Sequence, residues 1–595
     1  MLERLRPLFP YLLRYRRDLG FGMLSMLCMN GIWILFPLVI GEAIDGLKVA
    51  VTREQLLYYA SALLTIAFVK GIFQYLYRWL VIGVSREIEF DLRNDIFHHL
   101  ETLSHDYYQR TRTGDIMART TNDLNAVRQM LGPAIMYSAS TLVFTAGALA
   151  FMFGISPKLT LVAFVPLPMV SILIQYFGRR IHERFERIQA TFSDISARAQ
   201  ENFSGARVVR AYVQEEAEIA YFATANREYI ARSLKLVQLM GMLWPTLQTL
   251  LGFAVVLVLW LGGREVLAGR MTVGQFVAFN TYMVQLTWPI IALGWVINIY
   301  QRGTASMGRI NEILTETPSI SDRDVAPDLA GKMVELRGDI EFRHLNFHFV
   351  EQTPDVDGHA ARSQAVLRDI NLHIPAGSSL AIVGPTGSGK TTLVNLIPRI
   401  LDAEKGMVFL DGRPIADYPL QTLRRNIGFV PQETFLFSDT VRENIAFGTD
   451  SATDGQIRAA ADGASIAADI EGFPEGYKTV VGERGITLSG GQKQRTAIAR
   501  AIIRDPRILI LDDALSSVDT YTEERILNHL REVMRGRTTI LISHRVSTVR
   551  SADKIAVLHE GRIVEYGTHD ELIQREGYYT DLYNKQLLEE ELAQV

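Results

Sequence analysis

A glycine-rich segment, GPTGSGKTT, has the residue types and order of a phosphate-binding loop. It follows SLAIVG, an apolar run that predicts a buried strand, and it precedes TTLVNLIPRIL, which predicts a helix. In this context backbone N–H groups approach phosphates, while Lys390 suits the terminal phosphates and the Thr391 hydroxyl suits Mg²⁺. The sequence therefore predicts a nucleotide site formed by Gly384, Pro385, Thr386, Gly387, Ser388, Gly389, Lys390, Thr391 and Thr392.

A second group of polar residues lies near predicted strands further along the chain. Asp512 ends the apolar run RILILD, where it could hold Mg²⁺ through water, and Asp513 follows it. Gln432 is a neutral side chain that could reach Mg²⁺ and an attacking water. His544 ends another apolar strand, and Phe349 offers a stacking surface for adenine. Taken singly, His544 and Phe349 would be packing residues, but their order around the glycine loop favours one site for ATP and Mg²⁺.

Composition separates two halves of the chain and excludes some partners. At 595 residues the chain is too long for a single hydrophobic core, and its 48% hydrophobic content is concentrated before about residue 300. The net charge of −4 argues against a nucleic-acid partner. Cys28 is the single cysteine, so no intrachain disulfide forms. The basic N-terminal segment has no short apolar core with a cleavage site after it, which argues against a cleaved signal peptide.

The first half contains apolar stretches long enough to cross about 30 Å of hydrocarbon as helices. Short polar turns follow the first, third and fifth stretches, whereas the second and fourth are followed by charged, helical connections. Because arginines concentrate in the N-terminal segment and the first long connection, the positive-inside rule places both termini and both long connections in the cytoplasm. A membrane anchor would need only one or two spans. The six predicted spans are 19–44, 57–82, 134–155, 159–178, 241–263 and 273–298.

Two features of the spans leave alternatives open. Lys70 lies in the middle of the second span, where it could line a cavity, snorkel, or pair with Glu42 or Asp45 near the end of the first. The sixth span carries an aromatic face that could line a pocket for apolar solutes or serve helix packing. This face consists of Phe276, Phe279, Tyr282 and Trp288.

These segments together resemble the ATP-binding cassette (ABC) family, with the order of a B-type half-exporter. The resemblance extends to YYQRTRTGDIMARTTND (107–123) and ENFSGARVVRAYVQEE (201–216), which are similar to the two intracellular loops whose short coupling helices contact the cassettes. It implies a six-helix transmembrane domain at 1–318, a linker at 319–337 and an α/β P-loop nucleotide-binding domain at 338–595.

The resemblance also assigns roles to single residues. Phe349 matches the adenine-stacking position, Gln432 the Q-loop glutamine, His544 the switch histidine and Asp519 the end of the D-loop. LSGGQ, at 488–492, matches the family's signature sequence, which contacts the nucleotide held by the opposite cassette. It adds four nucleotide-binding candidates, Ser489, Gly490, Gly491 and Gln492.

One position departs from the family pattern. The residue after the Walker B aspartate is normally glutamate, but here it is Asp513, whose carboxylate is one methylene shorter and less well placed to polarise water. Heterodimeric exporters of the multidrug-resistance-like type combine such a subunit with a partner that has the glutamate and an altered signature. The alternative is a homodimer that hydrolyses ATP slowly with Asp513.

The sequence thus predicts one subunit of a dimeric, ATP-driven exporter in the plasma (inner) membrane. Its expected partners are a second ABC half-transporter, membrane lipids and a small amphipathic, lipid or peptide substrate. The alternatives are an ATP-gated channel or regulatory subunit, and a siderophore-type importer built on the exporter fold. A soluble cassette protein acting on DNA or ribosomes is excluded by the six spans.

Overall fold

The structure is a computed structural model. It describes residues 2–49, 52–165, 167–329, 331–332, 334–349, 365–482, 485, 487–515, 520–543 and 545–594. The chain divides into two compact units: Met1–Leu100 with Thr113–Thr315, and Glu101–Arg112 with Glu316–Val595. The second unit therefore includes a short piece of the first predicted intracellular loop. The predicted domain limits of 318 and 338 stay predictions.

The first unit consists of long helices, as its apolar runs predict. Among the described residues, five helices are long and apolar enough to cross a membrane: Arg16–Lys48, Arg53–Thr102, Thr113–Ile155, Glu215–Leu267 and Val273–Thr315. They contain every predicted span except 159–178, which is divided between Pro157–Phe164 and Leu167–Ser204, with residue 166 outside the described part. The count of six spans stays a prediction.

The helices extend beyond the predicted spans and are numbered here through both units. In chain order they are α1 (Leu2–Leu5), α2 (Phe9–Arg14), α3 (Arg16–Val49), α4 (Arg53–Thr102), α5 (His105–Arg110), α6 (Thr113–Ala118), α7 (Leu124–Gln129), α8 (Ile135–Ile155), α9 (Pro157–Phe164), α10 (Leu167–Ser204), α11 (Ala206–Ala211), α12 (Glu215–Leu267), α13 (Val273–Thr315), α14 (Lys390–Asn395), α15 (Leu420–Arg425), α16 (Val441–Ala446), α17 (Asp454–Gly463), α18 (Ala467–Glu471), α19 (Gly490–Ile502), α20 (Thr520–Met534), α21 (Val546–Val549), α22 (His569–Gln574) and α23 (Tyr578–Gln594). Two π-helical segments, Arg119–Asp123 and Met130–Ala134, flank α7.

Buried aromatic side chains tie the long helices of the first unit together. The Tyr282 hydroxyl on α13 donates to the carbonyl of Ile34 on α3 at 2.5 Å, and the Tyr77 hydroxyl on α4 donates to the carbonyl of Met136 on α8 at 2.6 Å. Phe279 and Tyr282 are fully buried in one apolar cluster. For these two residues the packing interpretation of the sixth span's aromatic face is confirmed, whereas Trp288 is exposed.

In the described part of the second unit the strands form two sheets. The four-stranded sheet is antiparallel, in the order β2-β1-β4-β5, and the six-stranded sheet has the order β10-β9-β3-β8-β7-β6, with only β10 antiparallel. The strands are β1 (Ile340–His348), β2 (Ala365–Ile374), β3 (Ser379–Val383), β4 (Val408–Leu410), β5 (Arg413–Pro414), β6 (Ile427–Val430), β7 (Ile508–Asp512), β8 (Thr538–Ile542), β9 (Lys554–His559) and β10 (Arg562–Gly567).

The parallel strands determine where polar residues meet. β3, β7 and β8 are buried along their whole length, apart from half-buried Ser379, which explains their continuous apolar runs. Since β3, β6, β7 and β8 run in the same direction, the segments after them leave the same edge of the sheet. This edge carries the glycine loop after β3, Gln432 after β6 and Asp513 after β7.

Candidate nucleotide site

At two positions of the glycine loop, the backbone conformation and the neighbouring atoms leave no room for a side chain. Gly384 has a φ of +151°, and a Cβ there would lie 2.1 Å from the carbonyl oxygen of Leu558. Gly389 has a φ of +101°, and a Cβ there would meet Leu367 at 2.8 Å and the carbonyl oxygen of Val366 at 3.2 Å. Both positions therefore need glycine to let the chain turn back against β2 and β9.

Lys390 is held inside this loop. Its side chain is buried, and its Nζ donates to the carbonyl oxygens of Gly384 and Pro385, each at 2.9 Å. Burial lowers the pKa of Lys390, while the carboxylates of Asp512 and Asp513 act in the opposite direction. The loop therefore fixes the ammonium group at its centre, where an incoming phosphate would replace carbonyl oxygens as its partner.

A cavity of ≈ 320 Å³ opens at this edge of the sheet. That volume suits a small-molecule site. Nine of its lining residues are sequence-predicted site residues, and two, Val366 and Ile542, are not. It is lined by Val366, Thr386, Gly387, Gly389, Lys390, Thr391, Thr392, Gln432, Asp512, Asp513 and Ile542.

The two aspartates occupy different positions relative to the sheet. Asp512 is the last residue of β7, is 1% exposed, and lies opposite Ile542 of β8. Asp513 has left the strand with a φ of +49°, and its N–H donates to the carbonyl oxygen of Ile542 at 2.9 Å. The first carboxylate is therefore placed by the sheet and the second by a left-handed turn, a conformation that aspartate tolerates better than most residues.

Among the described residues predicted for the site outside LSGGQ, Phe349, Gly384, Pro385 and Ser388 do not line this cavity. Phe349, just after β1, is 42% exposed, stands edge-on to Phe347 with ring centroids 5.2 Å apart, and lines a separate hollow of ≈ 420 Å³. His544 lies outside the described residues, although β8, which ends two residues before it, contributes Ile542 to the cavity. Asp519 also lies outside the described residues.

The LSGGQ segment forms a capped helix start away from the cavity. The Ser489 side chain accepts from the Gln492 N–H at 3.3 Å, and the Gln492 side chain accepts from the Ser489 N–H at 3.0 Å. Gln492 also donates to Asp469 at 3.1 Å, so its side chain is engaged within the protein. Ser489 and Gly490 are exposed, while Leu488 is buried beneath them. None of these residues lines the glycine-loop cavity.

The residues at the cavity fit ATP and Mg²⁺. The hydroxyl of Ser388 is buried and has no hydrogen-bond partner within the described ranges, so the loop retains an open polar group facing its own turn. The loop and Lys390 supply donors for phosphate oxygens. Thr391, Gln432 and Asp512 supply the oxygen ligands that Mg²⁺ prefers.

Val366 and Ile542 carry no sequence signal for this site. Val366 belongs to β2 and lies beside the loop, where its carbonyl oxygen is 3.2 Å from the position of a Cβ on Gly389, and Ile542 of β8 lies opposite Asp512. Both contacts join residues far apart in the sequence, so no local motif predicts them.

The fold and site are those of an ABC transporter, and comparison with known proteins agrees. The family described as "ABC transporter transmembrane region" matches residues 19–290, and the family described as "ABC transporter" matches residues 367–516. The chain is 38% identical to a probable multidrug resistance ABC transporter ATP-binding/permease protein, YheI, of Bacillus subtilis, covering 97% of this chain and 96% of that protein.

Two further relatives and one solved structure extend the comparison. The multidrug resistance-like ATP-binding protein MdlA of Escherichia coli is 37% identical, covering 97% of this chain and 95% of its own length. The ATP-dependent lipid A-core flippase of Syntrophus aciditrophicus is 36% identical, covering 96% and 93%. A bacterial Atm1-family ABC exporter with ATP bound has a TM-score of 0.76 at 29% identity, covering 96% of this chain and 98% of that chain. The chain belongs to the ABC transporter family and is an ATP-driven exporter that couples ATP hydrolysis to transport.

Proposed function

We propose that this chain is one half of a dimeric exporter that moves amphipathic or lipid-like solutes out of the cytoplasm or the inner leaflet by alternating access. The termini and the ATP-binding unit face the cytoplasm, as the arginine distribution predicts. The relatives named for multidrug resistance and for lipid A-core transport support this class of solute.

The observation that carries the proposal is the separation of two halves of an ATP site. The glycine-loop cavity contains Lys390, Thr391 and Asp512 but no signature residue, whereas Ser489 and Gly490 are exposed at the start of α19. The cap uses the N–H groups of Ser489 and Gln492 but not those of Gly490 and Gly491, and such an exposed helix start is suited to a phosphate. Each ATP is therefore bound between the glycine loop of one subunit and the signature of the other, and ATP binding closes the dimer.

Within one subunit the residues have separate tasks in hydrolysis. In this proposal Lys390 and the loop amides bind and orient the phosphates, and Gln432 and Asp513 orient the attacking water. Thr391, Gln432 and Asp512 would hold Mg²⁺, which neutralises phosphate charge when it is bound. His544 is assigned to the terminal phosphate through the family resemblance.

Because of Asp513, the ATP site built on this chain's own glycine loop hydrolyses ATP more slowly than the other ATP site of the dimer. The position supports a heterodimer in which the partner half-exporter supplies the catalytic glutamate and this chain supplies an intact signature to it. In that arrangement the partner's ATP is hydrolysed and this chain's ATP mainly stabilises the closed dimer. A homodimer with slow hydrolysis remains the second candidate.

Transport by inside-out vesicles tests the proposal. Vesicles containing the chain and its partner subunit are supplied with ATP and amphipathic dyes, and dye accumulation is measured. Export predicts accumulation in the lumen that is lost when the partner's catalytic glutamate is neutralised, and when Lys390 and the partner's equivalent lysine are both replaced by alanine. The matched control is Lys405→Ala, which removes an exposed lysine of the same unit, paired with Asp417.

Two other outcomes would contradict export. Release of preloaded solute from the vesicles on ATP addition would indicate the siderophore-type importer. Ion flux that requires ATP binding but not hydrolysis would indicate the ATP-gated channel.

A further inference from the structure

Helices α3 and α4 pack as an antiparallel pair with Lys70 at the centre of the contact. Near one end a Cβ on Gly22 would lie 2.9 Å from a Val81 methyl carbon, and near the other a Cβ on Gly46 would lie 2.9 Å from the Tyr59 hydroxyl. Lys70 is midway along α4 between those two contacts. At 1.5 Å of rise per residue it lies about 16 Å from each, whereas a lysine side chain reaches only about 6 Å. Snorkelling to either end of the span is therefore excluded.

At this central position Lys70 contacts an aromatic ring. Its Nζ lies 4.5 Å from the centroid of the Trp33 ring, and Trp33 stacks on Phe36 with centroids 4.7 Å apart. Within the described part of the chain, no carboxylate lies within ion-pair distance of Lys70. The pairing with Glu42 or Asp45 predicted as one alternative is not found, and Asp45 instead accepts from the Gly274 N–H at 2.8 Å.

Contact with one aromatic ring does not compensate for the hydration that an ammonium group loses in the middle of a span. A cation–π contact contributes about 0.5–2 kcal/mol, less than the cost of placing a lysine at the centre of a span. The half-buried neighbours of Lys70 on the same helix face are Ile66, Phe73 and Gln74, and two of these three are apolar. The positive charge thus lies among mainly apolar side chains with its N–H donors available. This arrangement suits an anionic headgroup attached to an apolar tail.

A second open donor lies close along α3. Asn30, one turn before Trp33, is 3% exposed; its Oδ1 accepts from the Ser140 hydroxyl at 3.2 Å, and its Nδ2 has no hydrogen-bond partner within the described ranges. Lys70 on α4 and Asn30 on α3 therefore both contribute N–H donors at this depth.

We propose that Lys70, held over Trp33 at the centre of the α3–α4 pair, binds the anionic headgroup, phosphate or carboxylate, of an amphipathic substrate. This assignment rests on the proposed export of amphipathic solutes and specifies the charge that the membrane unit selects. A cationic amphiphile of the same length is disfavoured at this site because Lys70 repels it.

Quenching of tryptophan fluorescence tests the site without ATP. The protein is reconstituted in nanodiscs of phosphatidylcholine and titrated with bromine-labelled alkyl phosphate, alkyl carboxylate and alkyl trimethylammonium of one chain length. The Trp33 signal is the difference between the wild-type protein and Trp33→Phe. We expect both anions, or one of them, to bind at least about tenfold more tightly than the cation, and the two anionic arms identify the headgroup.

Charge variants at Lys70 make the test specific. Lys70→Met should remove the preference for anions, Lys70→Arg should retain it, and Lys70→Glu should reverse it towards the cation. Arg78→Gln removes an exposed positive charge from the same helix and should leave the preference unchanged. Equal anion affinity in Lys70→Met and wild type, or an equal loss in Arg78→Gln, would overturn the proposal. Each variant is required to elute as a single monodisperse species.

The binding and transport outcomes are separable. Selective binding at Lys70 without ATP-dependent accumulation in vesicles would contradict the proposed function and leave the site standing. Accumulation of anionic and cationic amphiphiles with equal efficiency, unaffected by Lys70→Met, would contradict the site and leave export standing.

Discussion

Asp513 is bonded to the neighbouring strand through its backbone, since its N–H donates to the carbonyl oxygen of Ile542 at 2.9 Å while its φ is +49°. The turn directs the chain out of β7 directly after Asp512 and places both aspartates at the cavity. The side chain at 513 is thus positioned by a backbone conformation that favours aspartate over glutamate.

Asp513→Glu should raise ATP hydrolysis at this chain's own site and leave ATP affinity unchanged. The added methylene brings the carboxylate closer to the attacking water, while the left-handed backbone costs about 1 kcal/mol of folding stability. Single-turnover hydrolysis and nucleotide binding by the purified dimer check this. Asp513→Ala is the comparison and should hydrolyse no faster than the wild type. Glutamate and alanine variants with equal rates would contradict the role given to this side chain.

Lys390→Ala and Ser489→Arg should damage different nucleotides. Lys390 lies in the glycine loop, so its loss weakens the ATP held by its own chain; Ser489 lies outside that cavity, so arginine there weakens the ATP held by the opposite chain. Photolabelling of a dimer with one variant subunit, followed by separation of the chains, reports which ATP is lost. Loss of the same nucleotide in both variants would contradict the shared site.

ATP affinity should decline at high pH because of Lys390. Burial lowers its pKa in the free site, and a bound phosphate raises it again, so ATP binding takes up a proton between the two pKa values. Affinity is then constant below the lower pKa and falls by about tenfold per pH unit above it, until the higher pKa is reached. Binding titrations from about pH 7 to about pH 10 measure this. Lys390→Arg retains the charge and should lack the decline; a decline of the same size in this variant would assign it to another group.

Asp123→Ala should destabilise the first unit. Asp123 is 7% exposed, accepts from the Ser306 hydroxyl at 2.8 Å and from the Arg309 Nε at 2.7 Å, and so links the π-helical segment after α6 to α13. Its removal leaves Arg309, whose side chain is 46% exposed, without its carboxylate and should cost about 2 kcal/mol. Asp450→Ala, which breaks the exposed pair with Arg425, is the control and should cost less than about 1 kcal/mol. Thermal unfolding in detergent measures both changes, and equal shifts would contradict the difference in burial.

Gly274→Ala should separate the start of α13 from α3. A Cβ at Gly274 would lie 2.0 Å from the carbonyl oxygen of Gly41 and 2.5 Å from Oδ2 of Asp45. We expect a loss of about 1–3 kcal/mol in folding stability. Gly294→Ala lies on the same helix with nothing within 4 Å of its Cβ and should be neutral or slightly stabilising. A Gly274→Ala protein as stable as Gly294→Ala would show that the two helices do not need this close approach.

The sequence predicts those parts of the nucleotide site that belong to one contiguous segment or to the ends of the parallel strands. The glycine loop, Lys390 and Thr391 follow from one segment, and Gln432 and Asp512 follow from the rule that parallel strands end at the same edge. Val366 comes from a different sheet, so only the folded chain identifies it. The hydrogen bond from the Gln492 side chain to Asp469 has no local sequence signal, because Asp469 lies on another helix.

In the first unit the sequence predicts five of the long apolar helices, but it does not predict which helices pack against each other. Apolar runs predict a helix but do not indicate which face packs against which neighbour. Lys70 contacts Trp33 rather than a carboxylate, because the register of α3 against α4 places an aromatic ring, not Asp45, at its depth. Arg309 and Asp123 are likewise far apart in sequence, and no motif connects them.

Crosslinking from the signature tests the shared ATP site most directly. In a Cys28→Ser background, Thr487→Cys, at an exposed position two residues before Ser489, becomes the single cysteine and is labelled with benzophenone. Irradiation in membranes with ATP should join it to the glycine loop of a second polypeptide, giving a two-chain product that mass spectrometry assigns and whose yield falls without nucleotide. Attachment to residues 384–392 of the same chain, or an equal yield without ATP, would contradict the ATP-driven dimer.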